Sequence, residues 1–196
     1  MKKLWIKIVQ GVISAFGNVQ FFPSPFFCLL WGNTHYKVRG PEVRRLIEEL
    51  RVGDIILRRY DRYVSGWFIP GFWTHVSLMA TENTVIHATT RGVMEEDILT
   101  FLRADHIMVL RYGDEEVAKV AASMSRSLIG REYDFLFDAS DDERLYCSEL
   151  VKHCYAGVFD SLGTGMIPPD SLIIDALEEV HDSEKFRGGE YDQKED

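Results

Sequence analysis

Residues 146–155 read YCSELVKHCY, and the reading of this stretch decides the fold. Leu150, Val151 and Cys154 recur at helical spacing, while Asp138, Asp141, Asp142 and Glu143 make the preceding run an acidic loop. A helix is therefore expected from about Cys147 to Tyr155, with Gly157 beyond its end. A cysteine in the first turn faces unpaired backbone N–H groups and the positive end of the helix dipole. Both lower a thiol from its usual pKa of about 8.5. A nearby imidazolium would lower it further and leave a nucleophile ionised near neutral pH. Cys147 is thus a candidate nucleophile, weighed against a plain buried small hydrophobe. Cys154 shares the same helical face two turns deeper, where burial is the default.

Two histidines upstream offer a base. His75 and His87 sit inside strand-like runs, 74–80 and 84–90. A two-residue turn at Glu82–Asn83 would pair His75 with Thr90 and send the two rings to opposite faces. A three-residue loop, Thr81 to Asn83, instead pairs Ser77 with His87. The imidazoles are then diagonal on one face with Cβ atoms about 7 Å apart. The three-residue loop is the expected one, with Asn83 supplying a left-handed residue.

Outward from this centre the chain alternates helices and strands. Pro41 opens a helix that ends near Val52, Gly53–Asp54 punctuates, and Ile55–Leu57 reads as a buried strand. Residues 60–73 form a long aromatic loop in which Tyr60, Tyr63, Trp67 and Trp73 are candidate walls of a substrate cleft, or else core plugs. A third strand is expected at 107–112, a helix at 114–129 stopped by Gly130, and another near 169–180. His106, His153 and His181 read as structural or surface residues.

The amino terminus is apolar. Leu4, Trp5, Ile8, Val9, Val12, Ile13 and Phe16 make a helical stripe behind Lys2 and Lys3. This predicts a helix laid on the domain or on a membrane surface. A weak export signal with small residues at Ala15 and Gly17 is the alternative, against which Lys7 and Gln10 interrupt the run. Phe21 to Trp31, carrying Pro23 and Pro25, reads as an apolar loop seeking a partner surface. The expected organisation is an apolar segment 1–40, a domain 41–181 and a polar flexible tail 182–196, with a cytoplasmic location and peripheral membrane contact through residues 1–31.

Composition removes several function classes. The net charge is −9, with seven basic and three acidic side chains in residues 1–50 against fifteen and twenty-eight in the remainder. Such a surface repels nucleic acid. Three cysteines without a C-x-x-C spacing support neither a disulfide framework nor a redox motif. The acidic run 134–143 lacks the alternating carboxylates of a calcium loop.

Five motifs in order, Gly53-Asp54-Ile55-Ile56, Gly71-Phe72-Trp73-Thr74-His75, His87, Gly130-Arg131-Glu132-Tyr133-Asp134-Phe135 and Tyr146-Cys147-Ser148-Glu149-Leu150-Val151, resemble the circularly permuted NlpC-type papain-like hydrolases. The nearest group is the YiiX/YebB-like branch, with lecithin:retinol acyltransferase-like enzymes as cousins, over about residues 50–160. The resemblance implies an α+β fold in which an antiparallel sheet or small barrel packs on helices, and in which histidine precedes cysteine. It makes Cys147 the nucleophile, His75 the base and His87 the orienting residue, where much of the bacterial branch carries glutamate. It implies no cofactor, and a peptide, lipid or acylated substrate attacked at an amide or ester carbonyl to form a thioester. The oxyanion would meet the Cys147 N–H, with Tyr60 or Tyr63 as a further donor. Two other classes compete: a zinc site built from His75, His87 and Cys147, and a binding module that keeps the shell without turnover.

Overall fold

The computed structural model describes residues 5–9, 11–12, 19–22, 28–31, 36–61, 63–67, 69–137, 143–163 and 165–188. Strands β1 (Val19–Phe22) and β2 (Cys28–Trp31) pair antiparallel, so the expected apolar loop is a hairpin whose two prolines fall outside the described residues. Then follow α1 (Gly40–Glu49), β3 (Ile55–Arg59), β4 (His75–Met79), β5 (Thr84–Thr89), β6 (Gly92–Asp97), the short α2 (Ile98–Phe101), β7 (His106–Tyr112), α3 (Glu115–Ser127), α4 (Cys147–Cys154), β8 (Leu177–Asp182) and α5 (Ser183–Arg187). Strands β3 to β8 form one antiparallel sheet in the order β6-β5-β4-β3-β7-β8. No described helix is long and apolar enough to cross a membrane.

Alternation along the strands feeds two cores. Ile55, Leu57, Val76, Leu78, Ile86 and Leu110 face α3 and α4, meeting Ala118, Ala121, Leu150 and Val151. Ile56, Met79, Val85, Ile107 and Val109 face the other way onto Leu46 of α1 and onto Ile98 and Phe101. Burial on both sides explains why Ile55-Ile56-Leu57 reads as an unbroken apolar run.

Several elements differ from expectation for identifiable reasons. Strand β6 and α2 differ from expectation because Glu95, Glu96 and Asp97 are polar on an outer strand, while the Asp97 carboxylate caps α2 through Leu99 and Thr100 N–H. The helix expected near 169–180 is a 3-10 turn, Pro169–Leu172, followed by β8, where Val109 and Leu110 of β7 offer an edge to pair. Order also continues past residue 182. Asp182 caps α5, Ser183 is buried with its hydroxyl accepting from Ile107 N–H, and Arg187 donates to Asp105 O and His106 Nδ1. Residues 5–9 and 11–12 are helical, with Trp5, Ile8 and Val12 half-exposed or more rather than covered by the domain.

The Gly53–Asp54 punctuation is a structural joint. Gly53 has φ +92°, and a Cβ there would lie 2.5 Å from Ala118 Cβ. Its carbonyl accepts from the Tyr155 hydroxyl, and buried Asp54 takes two bonds from Arg111 at 2.8 and 2.7 Å. Strained φ and the clash with α3 act together. Gly53→Ala is expected to lower unfolding free energy by about 3 kcal/mol in urea titration; a loss below roughly 1 kcal/mol would show that α3 yields freely.

Candidate active site

The β4–β5 loop has the expected length. Ala80 N–H and Thr81 N–H both reach Thr84 O, and the ladder runs Leu78↔Ile86 and Met79↔Val85. That register, with residues 81–83 in the loop, leaves His75 and His87 diagonal on one face. Their rings meet, with His75 Nε2 to His87 Nδ1 at 2.9 Å. Asn83 does not supply a left-handed residue; Phe137 is the one non-glycine with positive φ among the described residues. The Thr81–Thr84 hydroxyl contact of 2.7 Å and Asn83 N–H to Thr81 Oγ1 close the turn instead.

The ladder stops after those two pairs, so β4 and β5 part toward His75. Val76 lies in this unpaired stretch, and its N–H goes to the sulfur of Cys147. Cys147 is the first residue of α4 and only 6% exposed. The Cys147 sulfur and the His75 ring thus meet the chain one residue apart, the sulfur from the α4 side and the imidazoles from the Phe101 side.

The surrounding elements hold these groups from a distance. The Asp170 carboxylate accepts Phe72 N–H at 2.8 Å and Trp73 N–H at 2.9 Å, pinning the approach to His75. Glu149 accepts Tyr146 N–H at 3.4 Å, while the Tyr146 hydroxyl takes Ile167 N–H at 3.0 Å and the Ser148 hydroxyl donates to Ile167 O. These bonds fix the first turn of α4.

Burial dominates the titration of all three groups. It pushes the Cys147 thiol up, against the lowering pull of the Val76 N–H, the Ser148 hydroxyl and N–H, and the Cys147 N–H. It drives His75 well below 6.5, helped by the Arg58 charge and by His87, and it takes His87 down to about 3 with Arg58 and Arg91. The expected thiolate at neutral pH is therefore not what the free protein holds. Desolvation outweighs the helix N-terminus, and the resting pair is a neutral thiol beside neutral imidazoles.

The aromatic loop divides. Trp73 is 4% exposed and belongs to the core, edge-on to Phe72, which is the plug rather than a cleft wall. Trp67 is 64% exposed. Tyr60 and Tyr63 stack on each other at 5.2 Å, and Arg58 lies over Tyr60, so Tyr60 is bound into the neighbourhood of the imidazoles rather than of the sulfur. A further tyrosine, Tyr133, feels the charge of Cys147. Burial raises its pKa well above 10, and Cys147 is its largest charge neighbour. Sequence reading quoted Tyr133 in a motif without assigning it chemistry. The signal lies in the backbone: Leu145 N–H to Glu132 O and Asp134 N–H to Leu145 O lay its strand against the start of α4.

His106 contacts Asp61 and Arg187, and His181 contacts Glu42, both as structural groups; His153 is exposed. Among the described residues no group of three His, Cys, Asp or Glu side chains is placed to hold a metal ion.

A cysteine at a helix start, downstream of strand histidines on an antiparallel sheet packed with helices, is the arrangement of a permuted papain-like thiol hydrolase. The family model described as "Permuted papain-like amidase enzyme, YaeF/YiiX, C92 family" matches residues 49–167, and the chain belongs to this family. No curated protein and no solved structure matches it significantly.

The low imidazole pKa values set the acid limb of stability. Above pH 6.5 neither the folded nor the unfolded chain holds a proton on His87; below it the unfolded chain binds protons that the folded one refuses until about pH 3. His75 acts in the same direction. Stability is therefore lost as pH falls from about 7 toward 5. The urea midpoint should drop across that window, and His87→Gln should flatten the drop; equal slopes in both proteins would contradict the buried neutral pair.

Proposed function

We propose that the protein cleaves an amide bond, peptide or isopeptide, through a thioester on Cys147 with His75 as base and His87 as its orienting partner. The observation that carries this reading is the 2.9 Å His75–His87 bond on a strand whose next residue, Val76, offers its N–H to the Cys147 sulfur. With Nε2 of His75 committed to His87, Nδ1 is the nitrogen left for the thiol.

The chemistry runs from the neutral pair. As sulfur attacks the carbonyl carbon, the S–H proton passes to His75 Nδ1 and the S–C bond forms. The oxyanion takes the Cys147 N–H, an orphan donor of the helix start, with the Tyr133 hydroxyl as second donor. Burial keeps that phenol protonated and able to donate. The C–N bond then breaks, and His75 returns the proton to the leaving amine. Water, deprotonated by His75, attacks the thioester; the carboxylic acid leaves and the thiol is restored.

One observation favours an acyl substrate carried on lipid as a second reading. Trp5, Ile8 and Val12, at helical spacing, are 60%, 50% and 50% exposed beside the exposed Lys7. Such a face suits an anionic lipid surface.

The test is labelling with a thiol-directed peptidyl acyloxymethyl ketone, with iodoacetamide profiled against pH in parallel. Wild type should label and Cys147→Ala should not. Alkylation of Cys147 should climb through pH 9 without a plateau between pH 5 and 8, because the resting thiol is neutral. An unlabelled wild type overturns the proposal, and a low-pH plateau overturns the neutral resting pair.

A further inference from the structure

His87 has a second ring nitrogen, and Glu96 faces it. Its Nε2 is fully buried with no hydrogen-bond partner, 3.7 Å from Glu96 Oε2 on β6. Glu96 and His87 fall on the same face of the β5–β6 ladder, since Val85 pairs with Glu96 and His87 with Met94. Arg58 holds the carboxylate from the other side. Its Nη1 lies 3.5 Å from Glu96 Oε2 and 3.3 Å from Phe101 O, with the guanidinium 4.0 Å over the Phe101 ring.

We propose that Glu96, held by Arg58, is a positioning residue that fixes the tautomers of both imidazoles and so keeps His75 Nδ1 free of a proton. The role of that nitrogen rests on the reading of His75 as the base for Cys147. A neutral imidazole carries one N–H and one lone pair. If His87 held its proton on Nδ1, its Nε2 lone pair would face the carboxylate, two acceptors repelling in a site with little water. With the proton on Nε2, the N–H dipole points at Glu96 and the lone pair lies on Nδ1. The 2.9 Å bond then requires His75 to donate from Nε2. His75 is left with its lone pair on Nδ1, the state a general base needs. The opposite chain of tautomers would put a proton on His75 Nδ1 and disable it.

Arg58 supports this in a second way. Its fixed positive charge lowers both imidazoles, so neither becomes an imidazolium that would erase the choice of tautomer. The arrangement places glutamate one strand further out than the orienting position, behind a histidine rather than in place of it.

The test reads the rings directly. Protein labelled with ¹⁵N-histidine should show His75 and His87 each protonated on Nε2 in two-bond ¹⁵N–¹H spectra at pH 7. Glu96→Leu should populate the Nδ1–H form of His87, and Glu96→Gln, which keeps a carbonyl acceptor, should restore most of the Nε2–H form. Acylation by p-nitrophenyl acetate should follow the same order, falling about tenfold in Glu96→Leu, since a wrong tautomer disables the base. A wild-type His87 protonated on Nδ1, which needs no variant to observe, overturns the inference. So does a Glu96→Leu spectrum unchanged from wild type. If the tautomers shift as expected while Cys147 never reacts, the thiol reading fails and the tautomer assignment stands.

Discussion

Two β-strands that part after only two ladder pairs shape the candidate site of this protein. Strands β4 and β5 are held at Leu78–Ile86 and Met79–Val85 and then separate. A backbone N–H left unpaired in a buried sheet must find another acceptor. For Val76 that acceptor is the Cys147 sulfur, which ties the start of α4 to the strand carrying His75. The same parting gives two imidazoles on adjacent strands room to turn toward each other. Had the ladder continued, Val76 would bond to β5 and the sulfur would have no seat.

Burial governs the electrostatics of this seam. A helix N-terminus lowers a thiol pKa when the sulfur stays partly solvated. Here the sulfur lies under the sheet, and the cost of placing a charge there exceeds what the surrounding amide donors return. The consequence is a resting state without charge on the reacting groups, supported by a permanent cation, Arg58, one strand away. In the proposed reaction charge appears only as the carbonyl is attacked, when the oxyanion and imidazolium form together and stabilise each other.

The sequence carried the centre of the site but not its periphery. Cys147 at a helix start, His75 and His87 on one face and a three-residue turn all follow from periodicity, because each depends on residues close in the chain. Asp170, which pins the loop before His75, lies 98 positions from Phe72, and Glu96 reaches Arg58 across 38. Neither pairing has a local pattern to reveal it. The lowered thiol pKa expected at a helix start is absent for a related reason: a helix start is visible in sequence, whereas the depth of the sulfur depends on how the sheet covers it. Strand β8 was missed because its pairing edge on β7 decides its conformation against a helical spacing of apolar residues.

The central claim is that the Cys147 sulfur takes the acyl group. Its most direct test is to quench the protein during turnover of p-nitrophenyl acetate and map the acetyl group by peptide mass. An acetyl on Cys147 that hydroxylamine removes is the predicted result. An acetyl found on lysine or serine alone, with Cys147 unmodified, would contradict it.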